Sequence, residues 1–132
     1  MNITNPKITY LCSGEIFVFG SNESGRHGMG AAKDAMKFGA IYGQAFGLQR
    51  QTFAIPTVNA DITGKLEIEK IKEYVDSFIN YAKTHCNLRF LVTEIGCGLA
   101  GFTADEIAPL FKECLTLNNV YLPIKFIHYF KQ

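Results

Sequence analysis

Hydrophobic positions along the chain fall into short apolar runs that alternate with longer amphipathic stretches. "EIFVFG" (15–20) is apolar and aromatic and ends in glycine, which predicts a buried strand. "SNESGRHGMG" (21–30) is polar and glycine-rich and predicts a loop. In "AAKDAMKFG", Ala31, Ala32, Ala35 and Met36 recur at helical spacing, with Gly39 as C-cap. "AIYGQAFGLQRQ" has no regular period. "TFAIPT" (52–57) reads as a strand that Pro56 stops. The longest periodic segment is "LEIEKIKEYVDSFINYAKTH". It places Ile68, Ile71, Val75, Phe78, Ile79 and Ala82 on one face, with charges opposite, as an amphipathic helix does. "RFLVTEIG" (89–96) has few polar positions, as expected of a strand covered on both faces. Thr103 and Glu106 form a capping box that starts a helix over "TADEIAPLFKECL", with Pro109 in its first turns. "NVYLPI" (119–124) predicts a last strand. The tail "KFIHYFKQ" reads as core packing or a further edge strand.

Strands alternating with helices predict an α/β sandwich with a mixed or largely parallel sheet. In such folds ligands sit beyond the carboxyl ends of strands. The glycine loops 20–30 and 96–102 both follow strands and precede helices, so they are expected to be neighbours in space. At 132 residues the chain fits one domain, 1–132.

Composition narrows the partners. Hydrophobic residues make up 48% and charged residues 19%, which supports a real core. The net charge is +1 and the basic residues are scattered, so no dedicated nucleic-acid surface is expected. The N-terminal "MNITNPKITY" has no signal-peptide pattern, and no apolar run reaches membrane-spanning length. Cys12, Cys86, Cys97 and Cys114 form no C-x-x-C pair, which disfavours zinc. A cytoplasmic protein with reduced thiols, no cofactor and no metal is the expectation.

The glycine loops carry the candidate chemistry. "GCGLAG" matches G-x-G-x-x-G, but no carboxylate follows about 20 residues on to hold a ribose, which argues against a Rossmann fold. Walker A is absent. Glycines before a helix do let backbone amides turn inward around an anion. Arg26 is a candidate phosphate contact, because a guanidinium binds phosphate bidentately. Asn22 either caps a turn or meets a ligand. His27 is either a solvated loop residue or a base. Cys97 reads as packing rather than as a nucleophile. Asp105 and Glu106 complement a helix N-terminus. Phe102 either stacks on a ligand or plugs the core. Phe126, Tyr129 and Phe130 read mostly as core or edge packing, with one of them a candidate stacking face for a ligand ring.

Taken in order, "VFGSN", "GRHGMGAA", "GLQRQTFAIPT" and "IGCGLAGF" resemble the macro domain, and the chain is similar to small macro-like proteins of phages and bacteria. The resemblance spans residues 16 to 111. It implies a three-layer α/β/α sandwich with a mixed central sheet, and binding of ADP-ribose or an ADP-ribose-derived nucleotide. It implies that Gly20, Ser21 and Asn22 end the first strand at the ligand, with Asn22 at the distal ribose. Arg26 and His27 lie on the same loop. Gly28, Met29 and Gly30 pass by ribose and phosphate. Gly96, Cys97, Gly98, Leu99, Ala100 and Gly101 wrap the diphosphate, with Phe102 beside them. The alternative it implies is an ADP-ribosyl hydrolase using Asn22 and a loop-held water, with His27 or Asp61 as base. The chain departs from the family in three ways. It lacks the Gly-Asp-Ile-Thr whose Asp holds adenine. It has Ala100 where the related glutamate-specific hydrolases carry Asp. Residues 57–59 offer no lysine.

Overall fold

A computed structural model describes residues 2–132. Five strands form one sheet: β1 (Glu15–Asn22), β2 (Gly47–Gln49), β3 (Thr52–Val58), β4 (Arg89–Val92) and β5 (Val120–Tyr121). Their order is β2-β3-β1-β4-β5. β1 pairs in parallel with β3 and β4, β4 pairs in parallel with β5, and only β2 runs antiparallel, against β3. The helices are α1 (Gly30–Met36), α2 (Ile68–Thr84), α3 (Ala104–Ile107) and α4 (Ile124–Phe130).

The pleat of β1 explains the layers. Ile16 and Val18 point to one face and join Ile71, Val75, Phe78 and Ile79 of α2, Phe111, and Phe126 and Ile127 of α4. Phe17 and Phe19 point to the other face and pack on Ala32 and Ala35 of α1. Alanines there let the short α1 lie close to two aromatic rings. The result is an α/β sandwich with a mixed sheet, as the alternation of elements implied, with helices on both of its faces.

Several local expectations need correction. Pro56 does not stop β3, which runs on to Val58. β2 pairs only up to Gly47, opposite Ala54, so Pro56 lies on an unpaired stretch of edge where its missing N–H costs no ladder bond. The irregular segment before residue 50 contains β2, which is too short to show a period. The helix expected over 103–115 is one α turn followed by a 3₁₀ segment, Ala108–Thr116, with Pro109 in its first turn. The last strand covers only Val120–Tyr121, and the aromatic tail is helix α4, not a strand. Pro123 at its N-cap starts that helix, and Phe126 and Ile127 are buried at adjacent positions.

Candidate functional site

The chain leaves β1 toward β3 on one side of the sheet and later adds β4 and β5 on the other. Strand order therefore reverses beside β1, and in open α/β sheets a crevice forms at such a switch point. A cleft of about 380 Å³ lies there. Gly20 and Asn22 from the end of β1, Thr57 and Val58 from the end of β3, and Thr93 and Glu94 just beyond β4 line it, together with both glycine loops. The loops do meet: a Cβ placed on Gly20 would stand 3.4 Å from the Gly96 amide nitrogen.

The second loop presents unspent amides. The N–H groups of Cys97, Gly101 and Phe102 donate to Glu94, Gly98 and Gly96 carbonyls. Those of Gly96, Gly98, Leu99 and Ala100 donate to no acceptor among the described residues. All four residues line the cleft. Gly96 needs its glycine, because φ is +77° and a Cβ would press on Ile107 and Phe102 at 3.2–3.3 Å. At Gly98 a Cβ would meet only open space. Helix α3 does not add amides to this set. Thr103 Oγ1 accepts from Glu106 N–H, and the Glu106 carboxylate accepts from Thr103 N–H. These bonds hold the Glu106 carboxyl below its usual range. The unspent amides of residues that line the cleft belong to the turn at 96–100, since no residue of α3 lines it.

The first loop is built differently from what its sequence suggests. Asn22 is buried, and its side chain is spent on its own loop. Oδ1 accepts from Arg26 N–H and Ser24 Oγ, and Nδ2 donates to the Arg26 carbonyl. Ser21 Oγ donates to the Ala45 carbonyl at 2.6 Å. His27 is 3% exposed and does not line the cleft. Its ring meets Phe19 edge-on at 5.2 Å, and Nε2 lies 3.0 Å from the Gln44 carbonyl, so Nε2 carries the proton. A base role for His27 finds no geometric support. Gly25 fixes the same seam, with φ +71° and a Cβ position 2.5 Å from the Gly43 carbonyl carbon. The segment around residues 43–45, unreadable in the sequence, is therefore the scaffold on which this loop rests. At the open side, Arg26 is exposed at the cleft with no carboxylate within ion-pair reach among the described residues. Gly28, Met29, Gly30, Ala31 and Ala32 line the cleft as well, and α1 has no side-chain cap.

Three further candidate residues take the following positions. Phe102 is buried in the larger core cluster, with the Lys65 ammonium 4.5 Å from its ring centroid, so it plugs the core beneath the loop. Cys97 packs partly buried against the same cluster, and burial raises its thiol above the ordinary value of 9.0. Asp61 Oδ1 accepts from Thr63 Oγ1 on an exposed loop, and Asp61 does not line the cleft. Thr57, Val58, Ile62, Thr93, Glu94 and Ile95 line the cleft without having been singled out from sequence, and Ala31 and Ala32 were read only as helix positions. Glu94 is the cleft's carboxylate, and Lys125 Nζ stands 3.6 Å from it. Its position two residues before Gly96 was the available signal.

A second cavity of about 360 Å³ abuts the first and shares Ala31, Thr93 and Glu94 with it. Thr4, Asn5, Asp34 and Pro123 are among its other walls. Thr4 is 5% exposed, and its Oγ1 has no hydrogen-bond partner. Among the described residues no cluster of His, Cys, Asp and Glu is arranged to hold a metal, and no helix is long and apolar enough to cross a membrane.

No protein-family model matches the chain, and no curated protein matches it. Among solved structures it is similar to a protein of unknown function from Bacteroides thetaiotaomicron, with a TM-score of 0.60 and 14% identity. The match covers 85% of this chain and 89% of that one. At this identity the likeness concerns the fold alone.

Proposed function

We propose that the protein binds ADP-ribose or an ADP-ribose-derived nucleotide in the cleft between its two glycine loops. The observation that carries this reading is the set of four unspent amides at Gly96, Gly98, Leu99 and Ala100, on residues that line one cleft with the free Arg26 guanidinium. Backbone N–H groups in a tight turn cradle phosphate oxygens, and a guanidinium adds a bidentate, charge-assisted contact. The macro-domain resemblance of the loop sequences points to the same ligand class.

The adjoining cavities favour a dinucleotide-sized ligand over a mononucleotide. One extended molecule spans both, with its diphosphate on the amides and a nucleoside beyond Glu94. Binding without turnover is the preferred form of this reading. The hydrolase alternative requires a positioned base; His27 and Asp61 both lie off the cleft, and Glu94, the carboxylate that lines it, has Lys125 Nζ 3.6 Å away. A thermal-shift series tests the proposal. ADP-ribose raises the melting temperature more than AMP or ribose 5-phosphate does at equal concentration, because a ligand that binds only the native state stabilises it. Equal small shifts with all three would return the glycine loops to a purely structural role.

A further inference from the structure

Ile62 has φ +59°, in the left-handed region that a β-branched residue rarely adopts. Its side chain gains no core burial in exchange: the residue is 47% exposed and belongs to neither hydrophobic cluster. The loop enforces the conformation. Asn59 Oδ1 accepts from the N–H groups of Thr63 at 2.9 Å and Gly64 at 3.3 Å, and Thr63 Oγ1 donates to Asp61 at 2.8 Å. Ile62 N–H donates to the Asn59 carbonyl at 3.1 Å, and a Val58–Lys65 bridge closes the loop. Glycine would occupy the position without strain. Strain held by surrounding bonds, without packing to compensate, is the pattern of a functional constraint.

Ile62 lines the cleft, and so do Leu99 and Met29, which are 74% and 64% exposed. The amides and Arg26 address a diphosphate but offer nothing to the carbon face of a sugar or base ring. The three aliphatic side chains do. We propose that Ile62 is a specificity-determining residue: loop 59–64 holds it in strain so that it packs on a ring face of the bound nucleotide and keeps water off the diphosphate. This rests on the nucleotide reading above.

The experiment compares wild type, Ile62→Gly and Ile62→Val by ADP-ribose titration and by melting temperature without ligand. Ile62→Gly is expected to raise the ligand-free melting temperature, by releasing strain, and to weaken ADP-ribose roughly tenfold, by removing an apolar contact. Ile62→Val, which keeps a branched aliphatic wall, is expected to weaken binding less. If Ile62→Gly binds ADP-ribose as tightly as wild type, the inference is overturned while the nucleotide reading stands. A lower melting temperature for Ile62→Gly would overturn it by showing that the side chain holds the fold. Failure of the wild type to bind ADP-ribose overturns both, and is visible without any variant.

Discussion

Asn22 holds Arg26 from both sides: its Oδ1 accepts the Arg26 N–H at 2.9 Å and its Nδ2 donates to the Arg26 carbonyl at 3.0 Å. With Ser24 Oγ on the same Oδ1, one buried amide organises the loop that carries the guanidinium to the cleft. Asn22→Ala removes these bonds and leaves loop groups unpaired, a loss of about 1–3 kcal/mol. Urea denaturation is expected to show that loss, with ADP-ribose binding weakened in parallel. Weakened binding at unchanged stability would mean that Asn22 touches the ligand directly.

Gly98 and Gly25 separate the functional glycine from the structural one. Gly98→Glu projects into open space beside the amides and places a negative charge where a phosphate would sit. It is expected to melt like wild type and to bind no ADP-ribose. Gly25→Ala meets the Gly43 and Gln44 backbone at 2.5–2.7 Å from a left-handed φ, so it is expected to lower the melting temperature sharply. Circular-dichroism melts of the two variants check the contrast.

The thiols and one phenol set the alkaline limit. Burial pushes the Cys114 thiol up to about 12 from 9.0. Burial, and then the hydrogen bond to Glu23, push Tyr74 up to about 12 from 10.0. Both folded-state values are raised, so the stability they contribute is fully present below the unfolded values and is lost as pH rises toward 12. Stability from urea midpoints is expected to hold up to about pH 9 and to fall from there. At neutral pH a thiol reagent is expected to modify the exposed Cys12 and Cys86 first, and Cys114 only on unfolding.

The cleft's chemistry is expected to be weak. Ala100 stands in the second loop, and Glu94, the carboxylate in the cleft, has Lys125 3.6 Å away. Without a positioned base, water attack forgoes the roughly 10²–10⁴-fold that general-base catalysis supplies. Release of ADP-ribose from modified protein or DNA is therefore expected to be negligible. Brisk turnover that vanishes in Glu94→Gln would make Glu94 the base and the protein a hydrolase.

The sequence made the long-period features legible and hid those that depend on distant partners. α2 spans 17 residues, enough to display its apolar face, and the Thr103–Glu106 capping box is local by nature. β2 and β5 have three and two residues, too few to show alternation, and exist because β3 and β4 recruit them. In the tail, "FIHYF" is as compatible with an edge strand as with α4. The position of both glycine loops beyond strand ends was readable. The fate of the side chains on them was not: Asn22, Ser21 and His27 turn to Arg26, Ala45 and Gln44, contacts that no spacing rule specifies. Ile62 entered the cleft unannounced because the loop after β3 carries no glycine-rich signature until Gly64.

The central claim is that the amides at 96–100 hold the diphosphate of an ADP-ribose-like nucleotide, and isothermal titration calorimetry of ADP-ribose tests it most directly. The account predicts saturable binding of one ADP-ribose per chain by the wild type and none by a Gly98→Glu variant that retains its fold. Equal binding by both proteins, or no binding by the wild type, would contradict it.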